Sequence, residues 1–463
     1  MSTTPTRRAF RSGEPVTASH APGRHDNRLI RRSLQRATAH AAATGARPTH
    51  QITQEDEMSE AMRGGTTKGL PEVMSDAMPD VMLGVVAQSA LQDEASQVDE
   101  LTVLRAVAAD AATYFRACLQ DPTTGRRARR TLAARGLPIL TPADGIGYAP
   151  EGWNGLTTHL QGMGYSDEHL LAAGVSTRSR NSQLLDRFRA RITFAIHDVA
   201  GDVVGFTARA FDEDRAAAAA TDHDLPKYLN THATSLYRKR ELLYGFTPQA
   251  RELLRAGALP VLVEGPTDAL AITLAGAGRR VGIASCGTAL TSEHLTFLED
   301  VLRTLSTHDR QDCQDGQAEG EDLPLLHAQG LAVAFDSDTA GRAAAHRAWE
   351  LTTVRGLRPL EVLLPEGADP ASLARTHLSE LLETIEMPLN LSLIRDAVRP
   401  WADRLHEDTS QLHAVRAAVR LIDPTYDDLD LGRCLTAVAA ATGADMTCVI
   451  DEVLDYRANG TPT

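Results

Sequence analysis

Two aspartates stand directly after an apolar run in LAVAFDSDTAGRAAAHRAWE, residues 331–350. Asp336 ends the run AVAFD, and Asp338 follows two residues later, just before a predicted helix. Like charges placed so close together repel each other, and a cation between them removes that repulsion. The spacing therefore predicts a positive group between these two side chains.

Other acids also follow apolar runs. Glu264 ends the run VLVE, Asp268 lies about one helical turn beyond it, and Asp369 follows the run LRPLEVLLPEG. In an open parallel sheet, ligands bind beyond the carboxyl ends of the strands. We therefore expect these acids and the two aspartates to converge on one crevice.

Clustered carboxylates without a neighbouring histidine or cysteine suit a hard cation, Mg²⁺ or Mn²⁺. A magnesium ion commonly shares its coordination with water and substrate phosphates, which is the arrangement used in phosphoryl transfer. A structural alternative is helix capping, because Asp268 and Asp338 each lie close to a predicted helix N-terminus. Capping explains a single position well, but acids at several strand ends favour a metal site.

Lysine is rare in this chain. Of 47 basic residues only Lys68, Lys227 and Lys239 are lysines. A GC-rich coding bias explains the scarcity, and under that bias a retained lysine marks a position where arginine cannot replace the compact ammonium group. Lys227 and Lys239 lie close together, in PKYLN and LYRKRELLYGF, whereas Lys68 lies in a polar segment and shows that the criterion is imperfect.

The elements that must position the acids are strands alternating with helices. This alternation predicts a parallel α/β sheet covered on both faces. Upstream, strands at 191–197 and 203–211 around a turn at 198–202 read as a hairpin. The strands predicted for the parallel sheet are LPVLVEG, RVGIASCG, LAVAFDSD and LRPLEVLLPEG.

The chain divides into four predicted regions. Residues 1–98 are polar, first basic and then acidic, and we expect a largely disordered arm. Residues 99–256 have a mixed α+β pattern, and residues 257–372 form the parallel-sheet domain, with an acidic insertion at 306–324. Residues 373–463 are predicted to contain helices only.

Composition limits the functional classes. The chain has 463 residues, 43% of them hydrophobic, and no apolar run long enough to span a bilayer. Its five scattered cysteines form no CxxC pair, and no secretory signal is visible, which predicts a cytoplasmic protein without zinc. The net charge is −14, but nine arginines lie in residues 1–50, so local basic surfaces are compatible with nucleic-acid binding at the nucleoid.

Several of these segments together resemble a known family. VLVEGPTDAL and AFDSDTAGRAAA are similar to the Glu-Gly and Asp-x-Asp motifs of the TOPRIM fold. DRFRARITFAIHDVAGDVVGFTARAF, PKYLNTHATSLYRKRELLYGF, GTAL and EGADP resemble, in the same order, the catalytic core of bacterial DnaG-type primases. RRTLAARGL followed by GIGYAP resembles its opening segment, so the resemblance extends from about residue 110 to residue 375.

The resemblance implies roles for individual residues. Glu264, Asp336 and Asp338 match the main metal ligands, and Asp268 and Asp369 match supporting positions. Lys227 and Lys239 match basic catalytic positions, for which a solvated basic surface is the structural alternative. Residues that match the nucleotide- and template-binding positions are Arg189, Arg191, Arg209, Lys227, Tyr228, Asn230, Lys239, Gly287 and Thr288.

The implied activity is synthesis of short RNA primers on single-stranded DNA from ribonucleoside triphosphates, with Mg²⁺ or Mn²⁺. A TOPRIM phosphodiesterase that cleaves nucleic acid and a non-enzymatic DNA-binding recruitment protein are the alternatives. The upstream basic motifs argue against the first and the intact acids against the second. A replicative helicase stays open as a partner, because the C-terminal helices match the family only loosely.

The chain also departs from the family pattern. The family normally begins with a zinc ribbon, and the first 117 residues contain no cysteine, so no zinc is expected. The family's FPI triplet is FAI here, and Thr207 and Ala208 replace its Gly-Gly before the strand arginine. A core without a zinc ribbon but with a basic arm suits a primase of a plasmid, phage or integrative element.

Overall fold

The structure, a computed structural model, describes residues 80–137, 145–222, 224–311, 325–365, 368–376, 386–423, 426 and 428–459. Residues 1–79, most of the predicted arm, lie outside the described residues. Helix α1, Asp80–Gln120, extends across residue 98, where we expected the folded part to begin. Its sequence is rich in alanine, the strongest helix former, and a helix once nucleated extends cooperatively through such residues.

Helix α1 packs against the strands that follow it. Its buried side chains are spaced three or four residues apart, as the apolar pattern from residue 99 predicts: Leu104, Val107, Ala111 and Phe115. Phe115 lies edge-on to Phe188 and Phe206, with ring centroids 6.3 and 5.4 Å away. This contact fixes α1 on one face of the first sheet.

The first sheet is antiparallel, with strand order β1–β4–β5–β6. The predicted hairpin is confirmed, because β4 and β5 pair antiparallel with Ile192 opposite Arg209. A short hairpin, β2–β3, lies between β1 and β4. The strands are β1 Ile146–Ala149, β2 Ser176–Arg178, β3 Leu184–Asp186, β4 Arg191–His197, β5 Val203–Ala210 and β6 Tyr228–Asn230.

Five helices accompany the antiparallel sheet and lead out of it. One of them, α5, spans part of DEDRAAAAATDHD, where we expected a surface loop; its run of alanines has high helix propensity. The helices are α2 Arg126–Ala134, α3 Gly155–Gly162, α4 Asp167–Ala172, α5 Asp212–Ala219 and α6 Pro248–Arg255.

The second sheet has the strand order β11–β10–β9–β7–β8, in which β7 to β10 are the four predicted parallel strands. β7 pairs in parallel with β8 and β9, and β9 pairs in parallel with β10, which confirms the parallel α/β sheet. The strands are β7 Leu259–Val263, β8 Arg280–Ala284, β9 Ala332–Val333, β10 Leu360–Val362 and β11 Glu386–Pro388.

The helices around this sheet follow the expected alternation with one extension. Helix α8 continues to Gln311, so the beginning of the predicted insertion at 306–324 is helical, and residues 312–324 lie outside the described residues. The helices are α7 Pro266–Ala275, α8 Ser292–Gln311, α9 Leu325–Gln329, α10 Thr339–Thr353 and α11 Pro370–Thr376.

The C-terminal region is mainly helical, but the expectation of helices only is wrong for β11. This strand pairs antiparallel with β10 at the sheet edge. Glu386 also forms an ion pair with Arg280 of β8, with 2.7 Å between Oε1 and Nε. A three-residue edge strand carries no periodic signal that a sequence reading detects. The remaining helices are α12 Leu389–Val398, a 3₁₀ turn Arg399–Arg404, α13 Asp408–Val419, α14 Asp428–Thr442 and α15 Met446–Asn459.

The two faces of the parallel sheet bury different apolar clusters. One cluster joins the sheet to α8, α10 and the C-terminal helices, and the other joins it to α7 and the antiparallel sheet. The sheet therefore holds the ends of β7, β9 and β10 in fixed positions. No helix in the described part of the chain is long and apolar enough to cross a membrane.

Candidate active site

The predicted acids lie at the carboxyl ends of the parallel strands. Glu264 directly follows β7, and the amide of Ala334 donates a 2.8 Å hydrogen bond to Leu262, which keeps the chain extended from β9 toward Asp336. Asp369 directly precedes α11 in the chain, after β10. The strand ends thus deliver these acids to one edge of the sheet, as the alternating pattern predicts.

The charges of these acids act on one another. Burial, followed by the charges of Asp336 and Asp338, raises the pKa of Glu264. Burial, followed by Asp369 and Asp338, raises the pKa of Asp336. Burial, followed by Asp369 and Asp336, raises the pKa of Asp268 to about 7. The structure therefore brings all five predicted acids into one electrostatically coupled cluster.

One acid of this cluster has an unsatisfied atom. The Oε1 atom of Glu264 is buried and has no hydrogen-bond partner among the described residues. A buried carboxylate oxygen without a donor is unfavourable unless a cation or proton compensates it. The donor set, carboxylates alone, fits a hard divalent cation.

The described residues contain no group of three or more His, Cys, Asp or Glu side chains arranged to hold a metal ion. Magnesium is nevertheless commonly held through one or two carboxylates plus water and substrate phosphates, so a complete protein cage is not needed. The acids fit magnesium of that type.

Two of the acids also cap helices. Oδ1 of Asp338 accepts a 2.8 Å hydrogen bond from the Gly341 amide, and Oδ1 of Asp369 accepts a 2.7 Å bond from the Ser372 amide. The capping alternative therefore holds for Asp338 but not for Asp268, because α7 begins after Gly265 and has no side-chain cap. Asp369 caps α11 in addition. Each bond uses Oδ1 and so orients the carboxylate, which is compatible with a second role for Oδ2.

Lys227 lies beside the acid cluster. Its positive charge lowers the pKa of Glu264, Asp268 and Asp336 against the larger raising effects. Its Nζ atom is 5.7 Å from the ring centroid of Tyr228. The retained lysine and the predicted acids thus belong to one site.

Three hydrogen bonds link the PKYLN and RKR segments to the parallel sheet. The hydroxyl groups of Tyr228 and Thr267 are 3.2 Å apart, at the start of α7. Asn230 Nδ2 donates to the Cys286 carbonyl at 3.4 Å, and Lys239 Nζ donates to the Gly287 carbonyl at 3.0 Å. The structure therefore brings Tyr228, Asn230 and Lys239 into contact with the parallel-sheet domain.

The predicted Gly-Thr turn takes part in these contacts through the Gly287 carbonyl. Gly287 has φ +74°, the left-handed region that glycine adopts readily. The Oγ1 atom of Thr288 is buried and has no hydrogen-bond partner among the described residues. The turn thus supports both a geometric role for Gly287 and a binding role for Thr288.

The three predicted arginines differ in accessibility. Arg191 is buried and donates to the carbonyls of Ala208 and Pro226 at 3.3 and 3.0 Å, and burial followed by the charge of Arg189 lowers its pKa. Arg209 is also buried. Of the three, only Arg189 is partly exposed, and its guanidinium lies 4.3 Å from the ring centroid of Trp153.

The site can now be compared with known proteins. Residues 114–250 match the N-terminal domain of the DNA primase catalytic core, and residues 261–374 match the Toprim-like family. The DNA primase of Streptomyces coelicolor is 35% identical over 57% of this chain and 36% of its own length. The DNA primase of Mycobacterium tuberculosis is 34% identical over 77% of this chain and 52% of its own length.

A solved structure decides the family. The RNA polymerase domain of M. tuberculosis primase DnaG, in complex with a double-stranded DNA oligomer with a 6-nucleotide overhang, superposes with a TM-score of 0.55 at 32% identity. The match covers 74% of this chain and 98% of that domain. The chain belongs to the DnaG primase family. Its two sheets are those of the family's catalytic core, although the chain spans only 36% and 52% of the two curated relatives above.

This member of the DnaG primase family has site residues that sequence reasoning missed. Thr267 contacts Tyr228, and Arg187 donates through Nε and Nη2 to the Asn230 carbonyl at 3.0 and 2.7 Å. Trp153 is 62% exposed and faces Arg189. The polar, glycine-containing segment PEGWNG indicates that its tryptophan, Trp153, is exposed. No comparable sequence pattern indicates the contacts of Thr267 and Arg187.

Proposed function

We propose that the protein is a DNA primase that joins ribonucleotides into short RNA primers on a single-stranded DNA template. The observation that carries the proposal is the coupled acid cluster at the carboxyl ends of β7, β9 and β10, with Lys227 beside it. A site of this kind suits phosphoryl transfer, because carboxylates and an ammonium group together handle cations and phosphates.

Glu264, Asp336 and Asp338 are the residues that would hold magnesium or manganese, with Asp268 and Asp369 in support. When bound, the metal would favour ionisation of a ribonucleotide 3′-hydroxyl and neutralise charge on the attacked α-phosphate. The 3′-oxygen would bond to that phosphorus as the bond to the β-phosphate breaks and pyrophosphate leaves. The orphaned Oε1 of Glu264 and the raised pKa values support this assignment, since both are features that a cation would relieve.

The chain's own residues would bind and orient the substrates. Lys227 would hold a triphosphate oxygen next to the acids, and Lys239 would hold the Gly287 carbonyl and so fix the turn that precedes Thr288. Tyr228 and Asn230 would keep β6 against the parallel sheet through Thr267 and Cys286. Arg189 with Trp153 would bind the template strand, through phosphate contact and base stacking.

The M. tuberculosis relative in complex with DNA supports nucleic acid as a ligand of this fold. Its oligomer has a 6-nucleotide overhang, so the complex contains single-stranded as well as duplex DNA. We extend this to the present chain as a single-stranded DNA template. Ribonucleoside triphosphates are the proposed second substrate.

A synthesis assay tests the proposal. The full chain is incubated with single-stranded DNA, labelled ribonucleoside triphosphates and Mg²⁺, with Asp336→Asn as the matched control for contaminating polymerases. Short RNA products from the wild type alone support a primase. Shortened template without RNA products would instead indicate a phosphodiesterase, and DNA binding with neither product would indicate a recruitment protein.

A further inference from the structure

Helix α5 lies with its acidic end against a cluster of arginines. Arg127 forms a two-pronged ion pair with Asp214, with Nη1–Oδ2 and Nη2–Oδ1 distances of 3.0 and 2.5 Å. Arg209 donates to Asp212 at 2.9 Å, and Arg135 also pairs with Asp212. We call Arg127, Arg135 and Arg209 the arginine cluster.

The arginine cluster borders the candidate active site. Arg209 of β5 is paired in register with Tyr228 of β6, whose hydroxyl lies 3.2 Å from that of Thr267 at the start of α7. The charge of Arg209 also acts on Tyr228, where it opposes the effect of burial on the pKa. A ligand that extends from the acids along β6 would therefore reach the cluster.

Helix α5 is weakly anchored except through these ion pairs. None of its residues is buried, and the nearest apolar anchor is Phe211, which precedes it and stacks under the Arg127 guanidinium at 4.0 Å. An eight-residue helix without a buried face is only marginally stable by itself. The side chains of Asp212 and Asp214 are 52% and 33% exposed, so water and salt reach both pairs.

The chemistry of the cluster matches a phosphate as well as a carboxylate. The planar guanidinium fork binds both anions in the same two-pronged geometry. Asp212 and Asp214 thus occupy the positions that phosphate oxygens would take. The pairs of Arg127 and Arg135 are partly exposed, whereas Arg209 is buried beneath Asp212. Because partly exposed ion pairs are weak, a ligand with several phosphates would compete with the pairs of Arg127 and Arg135.

We propose that α5 is an internal competitor that occupies the arginine cluster, and that phosphate groups of a bound polyanion displace its acids. The inference rests on the proposed function for the expectation that a polyanion binds here. It goes beyond that function, because it assigns α5 a role in setting the affinity and adds Arg127 and Arg135 to the binding surface.

The direct test compares two double variants with the same change in net charge. Asp212→Asn with Asp214→Asn removes the two α5 charges that lie closest to the arginine cluster, without changing side-chain size, and leaves Glu213, 3.6 Å from Arg127, in place. Asp451→Asn with Asp455→Asn removes two exposed acids of α15, a helix that packs against α13 and α14. Affinity for a short oligo-dT is measured by fluorescence anisotropy over a salt series, in parallel with affinity for ATP.

We expect the α5 variant to bind oligo-dT at least about threefold more tightly than wild type at low salt, and the α15 variant to gain much less. The salt dependence should steepen by roughly 0.7 for each phosphate newly contacted. A gain with ATP alone would identify the ligand as a nucleotide triphosphate rather than a strand. Adding Arg127→Gln to the α5 variant should abolish the gain.

Equal gains in both double variants, or no gain with either ligand, would overturn the inference. Asp214→Asn against Asp455→Asn repeats the comparison if the α5 double variant fails to fold. This outcome can be distinguished from failure of the proposed function. If both double variants bind DNA with the same affinity, only the role of α5 is wrong. If the α5 variant binds more tightly but the wild type makes no RNA, only the primase activity is wrong.

Discussion

Gly341 in the first turn of α10 lies against the backbone of Asp336, so that a Cβ atom at Gly341 would stand 1.9 Å from the Asp336 carbonyl oxygen. The tight turn that carries the Asp-x-Asp pair is therefore closed by the absence of a side chain. The same turn allows the Gly341 amide to reach Oδ1 of Asp338. The geometry of two predicted metal ligands depends on this glycine.

We expect Gly341→Ala to displace the Asp336 backbone, lower stability by about 1–3 kcal/mol and abolish RNA synthesis. Gly432→Ala in α14 is the control, because a Cβ there meets nothing within 4 Å. That substitution should leave synthesis intact and raise stability by about 0.5–1 kcal/mol. Thermal unfolding and synthesis assays of both variants check the prediction, and an active, stable Gly341→Ala protein would refute it.

The raised pKa of Asp268, about 7, predicts the pH dependence of stability in the metal-free protein. A carboxyl group whose pKa is higher in the folded state stabilises the fold below its unfolded pKa, and that contribution is lost as pH rises through about 7. Asp268→Asn, which stays neutral, should therefore gain stability relative to wild type between about pH 4 and pH 8. Saturating Mg²⁺ should reduce the difference, because a cation favours the ionised carboxylate.

Melting temperatures in EDTA across this pH range, with and without Mg²⁺, provide the measurement. Asp445→Asn is the control of opposite sign, since hydrogen bonds from Thr447 lower the pKa of that exposed acid. A pH-independent difference between wild type and Asp268→Asn would show that the acid cluster is not coupled as described.

Lys227→Arg keeps the positive charge beside the acids and should still lower kcat/KM by roughly tenfold, about 1.4 kcal/mol. The guanidinium is a wide planar fork, whereas the ammonium is a compact charge that fits against one phosphate oxygen. Lys68→Arg is the matched control and should leave the kinetics unchanged. An unchanged nucleotide KM and kcat in Lys227→Arg would mean that the lysine is incidental.

Deletion of residues 1–79, which ends where α1 begins, should leave the core folded and weaken binding to single-stranded DNA. Nine arginines in residues 1–50 release counterions from phosphates, so the loss should be larger at low salt and should depend little on DNA sequence. The acidic residues beyond position 50 compete with DNA if they fold back on the basic segment. In that case deletion of residues 1–50 alone lowers affinity for single-stranded DNA more than deletion of residues 1–79.

An insoluble product after deletion of residues 1–79 would mean that the deleted segment belongs to the core.

Much of the fold and the acid cluster could be predicted from local patterns. Glu264, Asp336 and Asp369 each follow an apolar run, and the rule that parallel strands end at one edge brings them together without further information. The hairpin of β4 and β5 followed from alternation around a turn. These features depend on residues near one another in the chain.

Contacts between distant segments could not be predicted in the same way. Arg127 of α2 pairs with Asp214 of α5, and Arg191 of β4 donates to the Pro226 carbonyl, so these contacts depend on how separate elements pack. The strand Glu386–Pro388 was missed because three residues carry no periodic signal and only their pairing with β10 makes them a strand. Pattern reading identified the arginines but not which anion or carbonyl each one binds.

Formation of the first phosphodiester bond across a range of Mg²⁺ concentrations tests the account most directly. Dinucleotide product on single-stranded DNA is measured for wild type, Asp336→Asn and the exposed-acid control Asp451→Asn. We predict saturable Mg²⁺ dependence for wild type and control, and no product for Asp336→Asn at any Mg²⁺ concentration, although its metal-free melting temperature is equal or higher because a repelling charge is gone. Dinucleotide synthesis by Asp336→Asn at the wild-type rate, or its absence from wild type at every Mg²⁺ concentration, would contradict the account.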